Sequence, residues 1–352
     1  MELWIYSDAF ALLGVVDTAS SIIWANRFRQ CGDMEIYVAA TDKMRELLIF
    51  DATLEDRFVV RRDDEMVCLI ERVESVTDEE KGDVLLVTGR CLRSIYTRRI
   101  VWEQTVLTGT VEEGLRRLVS DAYMSNAPQG RRYAPLQLAP AHGYTDTIEK
   151  QITGDELLAA LEEICGAHNY GMKITMAPRE GTMTADFYKG TDRTAGQSEN
   201  PRVIFSEQYG NLLGTNHTRD ATAYKTVAKV AGEGEGTARR SIVVSRTGQT
   251  SGLRRREMFV DARDISSNDG EIGQSEYTSL LIGRGNSAMS EAAVVESMTG
   301  SIMPRQYVYG RDYFLGDMVT VIDKYGSAAD AQVLEIIETW DENGYTATPT
   351  FG

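Results

Sequence analysis

Ile70-Glu71-Arg72-Val73-Glu74 and Leu334-Glu335-Ile336-Ile337-Glu338 carry the same run, apolar-Glu-x-apolar-Glu, near opposite ends of the chain. Their surroundings match as well. Before the first come strand-like Phe58-Val59-Val60 and a charged turn, Arg61 to Glu65; after it a strand closes at Gly89. Before the second come Met318 to Ile322 and a turn; after it a last strand closes at Gly352. Apolar residues at every second position are the period of a half-buried strand. One three-strand unit at both ends predicts a duplicated β-domain. The competing explanation is that amphipathic strands often alternate in this way.

Outward from the first unit, Leu3 and Ile5, Ile22-Ile23-Trp24 and Met34 to Val38 add short strands, which at this spacing predict a barrel or sandwich. The middle of the chain reads differently. Thr110-Val111-Glu112-Glu113 is a capping box ahead of a helix with Val111, Leu115, Leu118 and Ala122 on one face. Thr153-Gly154-Asp155-Glu156 is read as a second box, ahead of Leu157, Leu158, Leu161, Ile164 and Cys165. Met172 to Met176 and Met183 to Phe187 alternate around the turn Pro178–Gly181, a hairpin. Asn126 to Tyr144 reads as a loop, and Thr191 to Asn200 as a linker. Tyr224–Ala231 and Ser241–Val244 are expected to pair across Gly232–Gly236, and Ser275–Glu291 to form a helix weakened at Gly283-Arg284-Gly285. The expected fold class is mainly β with an α+β insert: two β domains of barrel or sandwich type, 1–105 and 191–352, and a helix/hairpin domain, 106–190. Part of 200–260 is available to complete the first barrel.

Composition narrows the function. The 352 residues allow about two domains. With 53 acidic and 37 basic residues the net charge is −16, a poor footprint for coating nucleic acid or for a polybasic membrane anchor. Cys31, Cys68, Cys91 and Cys165 form no CxxC pair and read as buried free thiols of a reducing compartment. No signal peptide and no membrane span are expected.

Chemistry is sparse. His142, His168 and His217 stand at no metal-ligand spacing, and no GxSxG elbow occurs. Leu280 to Ala288 mimics a dinucleotide fingerprint, but helix precedes it where a strand is required. Gly232–Gly236 lacks the following Lys-Ser/Thr of a phosphate loop, and its glutamates repel phosphate. No catalytic, cofactor-binding or metal-binding residue is assigned, and no cofactor and no enzymatic activity are expected. Arginine clusters (90, 93, 98 and 99; 131 and 132; 239 and 240; 254 to 256) are candidate docking points or solvated loop charges.

Gly89-Arg90-Cys91-Leu92-Arg93-Ser94-Ile95-Tyr96-Thr97-Arg98-Arg99-Ile100 resembles the G-R-x-L-x-x-[LI]-x-x-R-R-[IV] stretch of tail hub proteins of long-tailed phages. Tyr313-Phe314-Leu315-Gly316-Asp317-Met318-Val319-Thr320-Val321 resembles that family's [YF]-x-L-G-D-x-V-x-V strand, and Pro349 to Gly352 its closing segment. The resemblance implies a baseplate hub, or tail-associated protein, similar to the hub of contractile-tailed phages. It implies that the two β domains are tube-like β-barrels, and that the chain forms a homotrimer that adapts a sixfold tail tube or distal tail ring to a threefold tip and forms part of the DNA channel. Implied partners are a second and third copy, distal tail or tail tube protein, tape measure protein and a tip fibre or spike, with DNA only in passage. The implied location is the virion tail, assembled in the host cytoplasm. Within the motif, Leu315 is expected to pack inward and Gly316 to take a positive φ. Any lytic module is expected on another polypeptide. The other readings are a tail-tip enzyme degrading peptidoglycan or surface polysaccharide, and the hub of a phage-derived bacteriocin or injection particle.

Overall fold

The computed structural model describes residues 1–49, 55–61, 66–78, 82–248, 250–302, 306–323, 325–326 and 328–352. Most of the charged turn, residues 62–65, lies outside the described residues. The N-terminal part comprises β1 (Leu3–Ser7), β2 (Leu12–Val16), β3 (Ala19–Arg27), β4 (Asp33–Ala39), α1 (Asp42–Leu48), β5 (Arg57–Val60), β6 (Val67–Asp78) and β7 (Gly82–Cys91). A 3-10 segment, Leu92–Arg98, leads into β8 (Thr105–Thr110), α2 (Val111–Tyr123), β9 (Leu136–Leu138), β10 (Thr147–Ile152), α3 (Leu157–His168), β11 (Gly171–Ala177) and β12 (Thr182–Tyr188). Then follow β13 (Ile204–Ser206), β14 (Leu212–Asp220), β15 (Val227–Ala231), β16 (Ser241–Ser245), β17 (Glu257–Asp261), α4 (Gln274–Glu291), β18 (Val295–Ile302), β19 (Met318–Ile322), β20 (Ala328–Asp341) and β21 (Gly344–Phe351).

One ordering of strands occurs twice. In the N-terminal part β3-β4-β7-β6-β5 lie side by side, and in the C-terminal part β14-β18-β21-β20-β19 do the same. In both, the chain visits the five positions in the same sequence. A bulge marks the same place in each: between Ile70 and Arg72 on β6, and between Val333 and Glu335 on β20. The rows beside the bulges therefore correspond. Trp24, Met34, Gly89 and Ile70 form one row, and His217, Met298, Phe351 and Val333 the other.

The expected two closed barrels are not formed. Among the described residues no sheet closes; the strands make one open sheet of thirteen, with β2 and β14 at its ends. The reason lies in β20. Its first residues pair with β19, and the same edge then pairs with β3, from Glu335 opposite Arg27 to Trp340 opposite Ile22. The edge of β3 that closure of the N-terminal unit requires is thereby used to join the two units. One face of the joined sheet is apolar, with Ile22, Trp24, Ile36, Val87 and Ile336 buried. The other carries half-buried polar groups, including Glu35, Glu74, Thr88, Thr339, Thr348 and Thr350.

Between the units, α2 and α3 pack on the hairpin β11–β12 and on Tyr6, Phe58 and Leu69 in a single core. The first capping box is present: Thr110 accepts from the Glu113 N–H, and the Glu113 carboxylate accepts from the Thr110 N–H. The second is not. Glu156 is the N-cap of α3 and makes no side-chain cap, because residues 153–156 form a turn with Gly154 at φ 80° and a bridge from Ile100 to Glu156. Helix α4 runs unbroken through Gly283, where a Cβ would stand 2.5 Å from the Glu149 carbonyl oxygen. It covers the sheet β16-β15-β17, which includes the expected pairing across Gly232–Gly236.

Candidate functional site

The two motif stretches, far apart in sequence, converge on Phe28. This residue follows β3 and is fully buried. Its N–H donates to the Leu334 carbonyl at 2.8 Å, which ties it to β20. Its ring lies against both Gly316 and Gly171, where a Cβ would sit 2.3 and 2.1 Å from ring carbons. Tyr188 meets the ring edge-on at 5.5 Å. One phenyl group thus touches both β units and the insert.

Gly316 adopts φ 89°, as its place in the motif predicts, and Leu315 packs half-buried against the C-terminal core. Asp317 anchors the turn. Its buried carboxylate accepts from the Thr191 N–H at 2.8 Å, the Phe314 N–H at 3.0 Å and Arg193 Nε at 2.7 Å. The segment read as a linker is stitched to the C-terminal unit through these contacts.

Arg93, from the other motif, is buried and donates to the carbonyls of Arg27 (2.8 Å), Phe28 (3.3 Å) and Met172 (2.8 Å). Its Nε reaches Cys91 Sγ at 3.3 Å, and Cys31 Sγ lies 3.2 Å from Cys91 Sγ. Burial alone would push the Cys91 thiol up. The hydrogen bond from Cys31 and the Arg93 charge outweigh it and bring Cys91 well below the ordinary thiol range. Burial likewise opposes the charge on Arg93, but the neighbouring Cys91 and Cys31 raise its pKa. A cavity of about 300 Å³ opens beside this knot, lined by Arg27, Cys91, Arg93, Lys189, Phe314 and Asp317 among others.

The histidines fall in three separate places. His142 stacks on Tyr144 and contacts Asp186, His168 ends α3, and His217 on β14 faces Glu296. Burial lowers the pKa of His168. Among the described residues no group of three or more His, Cys, Asp or Glu is placed to hold a metal ion. Of the arginine clusters, Arg90 pairs with Glu71, Arg98 with Asp56, Arg239 with Asp261, Arg240 with Glu233 and Arg255 with Glu257. Arg99 and Arg131 lie over the rings of Tyr123 and Trp102. Five of the clustered arginines are thus paired with carboxylates within the chain.

Sequence reasoning missed Phe28, Gly171 and the Cys31–Cys91 contact. The signal for Gly316 and Asp317 was in the motif, but Asn26-Arg27-Phe28-Arg29 carries no pattern that marks a junction. The edges of the sheet are a second feature. Strand β14 is mostly exposed and, among the described residues, pairs only with β18; beyond the bulge β6 pairs only with β7. No helix among the described residues is long and apolar enough to cross a membrane.

Among solved structures, the fold resembles a tail protein from Neisseria meningitidis MC58, at 13% identity and TM-score 0.57, covering 99% of this chain and 96% of that one. It also resembles the 43 kDa tail protein of prophage MuSo2 from Shewanella oneidensis, at 12% identity and TM-score 0.55, covering 100% and 98%. Prophage tail protein gp18 from Listeria monocytogenes EGD-e is similar at 12% identity and TM-score 0.51, covering 99% and 94%. No curated protein matches the chain by sequence. The model of the family described as "Siphovirus ReqiPepy6 Gp37-like protein" matches residues 2–352. With that match over nearly its whole length the chain belongs to the Siphovirus ReqiPepy6 Gp37-like family, and its fold is that of the phage and prophage tail proteins named above.

Proposed function

We propose that the protein is a structural hub of the tail tip, in which three copies form a ring that presents six equivalent β units. The observation that carries this reading is the strand order repeated within one chain, with the two units joined head to tail through β3 and β20. Three such chains supply sixfold geometry to a tail tube or distal tail ring, while the inserts keep threefold symmetry for a fibre or spike. The half-buried polar face with Glu35 and Glu74 faces the channel, where its charge keeps passing DNA, and the tape measure protein before it, from adhering to the wall. Assembly takes place in the host cytoplasm, where Cys31 and Cys91 remain reduced. Light scattering on the purified full chain tests the reading: a mass of three chains is expected, and a monomer at all concentrations or a dimer would overturn it.

A further inference from the structure

We infer that copies join by strand addition in a defined register: β14 of one chain lies along the open edge of β6 of the next, with Asp220 opposite Arg72. The inference rests on the ring proposed above, but it is carried by the internal joint. Within one chain the first strand of the N-terminal unit, β3, occupies the β20 edge of the C-terminal unit. The corresponding pair in the other direction is β14 and β6. Both are left open in the described chain, β14 along its outer side and β6 beyond its bulge.

The bulge fixes the register. Arg72 corresponds to Glu335, the first paired residue after each bulge, and Trp24 corresponds to His217, each opposite its methionine, Met34 or Met298. Inside the chain Glu335 lies opposite Arg27 and Glu338 opposite Trp24. Arg27 stands three residues after Trp24, and Asp220 three after His217. Transferred to the edge between copies, the same register sets Arg72 opposite Asp220 and Ser75 opposite His217.

The chemistry agrees with the geometry. The internal joint carries a 2.7 Å ion pair between Arg27 and Glu335. The joint between copies replaces it with a pair of reversed sign at the same row, Asp220 on the added strand and Arg72 on the receiving one. Arg72 is exposed and held by Glu74 at 2.7 Å, within reach of a strand laid alongside. An open strand edge is a template for another chain, and main-chain bonds supply affinity while the charged row selects register. The reversed sign also tells the joints apart: β14 in place of β3 would set Asp220 against Glu335, a like-charge contact. Because each copy offers one β14 and one β6, the contact is head to tail and can close a ring.

The test uses the full chain. Asp220→Arg and Arg72→Asp, each alone, are expected to weaken association about tenfold or more by light scattering, and the double exchange to restore it. Both positions are exposed, so circular dichroism should be unchanged. A second variant pair, Ser75→Cys with His217→Cys, is expected to give an oxidation ladder ending at three chains, which the parent chain does not give. A trimer that neither single reversal weakens, or that gives no ladder, overturns the strand joint and leaves the trimeric reading intact. A monomer in solution that still yields the three-chain ladder supports the joint and overturns the stable trimer. A monomer without a ladder overturns both.

Discussion

Gly316 concentrates two demands in one residue. Its φ of 89° suits glycine, and its missing Cβ makes room for the Phe28 ring. Gly316→Ala is expected to cost about 1–3 kcal/mol for the dihedral angle and about 1–3 kcal/mol for overpacking. Gly210→Ala is the control: φ is 67°, but nothing lies within 4 Å of the added Cβ, so only the dihedral cost applies. Urea unfolding of both variants separates the contributions, and equal losses would show that Phe28 yields without cost. The buried guanidinium of Arg93 and the carboxylate of Asp317 do comparable work, since each binds backbone groups from segments remote in sequence.

Among the elements, α2 anchors the loop after β9 by charge. The Glu112 carboxylate accepts from the N–H groups of His142 (2.6 Å), Gly143 (2.8 Å) and Tyr144 (3.2 Å). Burial opposes this charge, but the three donors outweigh it and hold the pKa below the ordinary 4.5. A depressed folded pKa gives stability that is complete above the unfolded value and is lost as pH falls through the folded one. Protection of the amides at residues 142–144, measured against their intrinsic exchange rates, should therefore fall below about pH 4.5. Glu112→Gln should exchange fast at every pH, at a cost of about 2 kcal/mol; an unchanged profile would remove Glu112 from this role. The first capping box, the hairpin β11–β12 and helix α4 were legible because each is a local pattern of caps and periodicity. Three elements were not. Helix α1 was passed over, although Thr41 caps it by accepting from the Met44 N–H. The box at Thr153 fails because the turn there answers to Ile100, which is remote in sequence. The short strand β9 pairs with β12 inside what reads as a loop. The edge that decides barrel against open sheet is set by a contact between β3 and β20, and no local pattern encodes it.

For the whole molecule, the paired faces of the sheet give the channel proposal a direct electrostatic test. Glu35→Lys with Glu74→Lys places positive charge on the polar face and should slow DNA release from assembled particles several-fold, more so at low salt; release at the parent rate would remove these residues from the channel wall. The family resemblance was legible in two short motifs, and the structure explains why those stretches carry it: both hold the junction around Phe28. The ladder between β3 and β20 has a mechanical consequence. It runs backbone to backbone between the two halves of the chain, so they cannot swivel about a linker without breaking it. A girder of this kind passes torque and tension along its length with little give, so the two halves of the chain respond to load as one rigid frame.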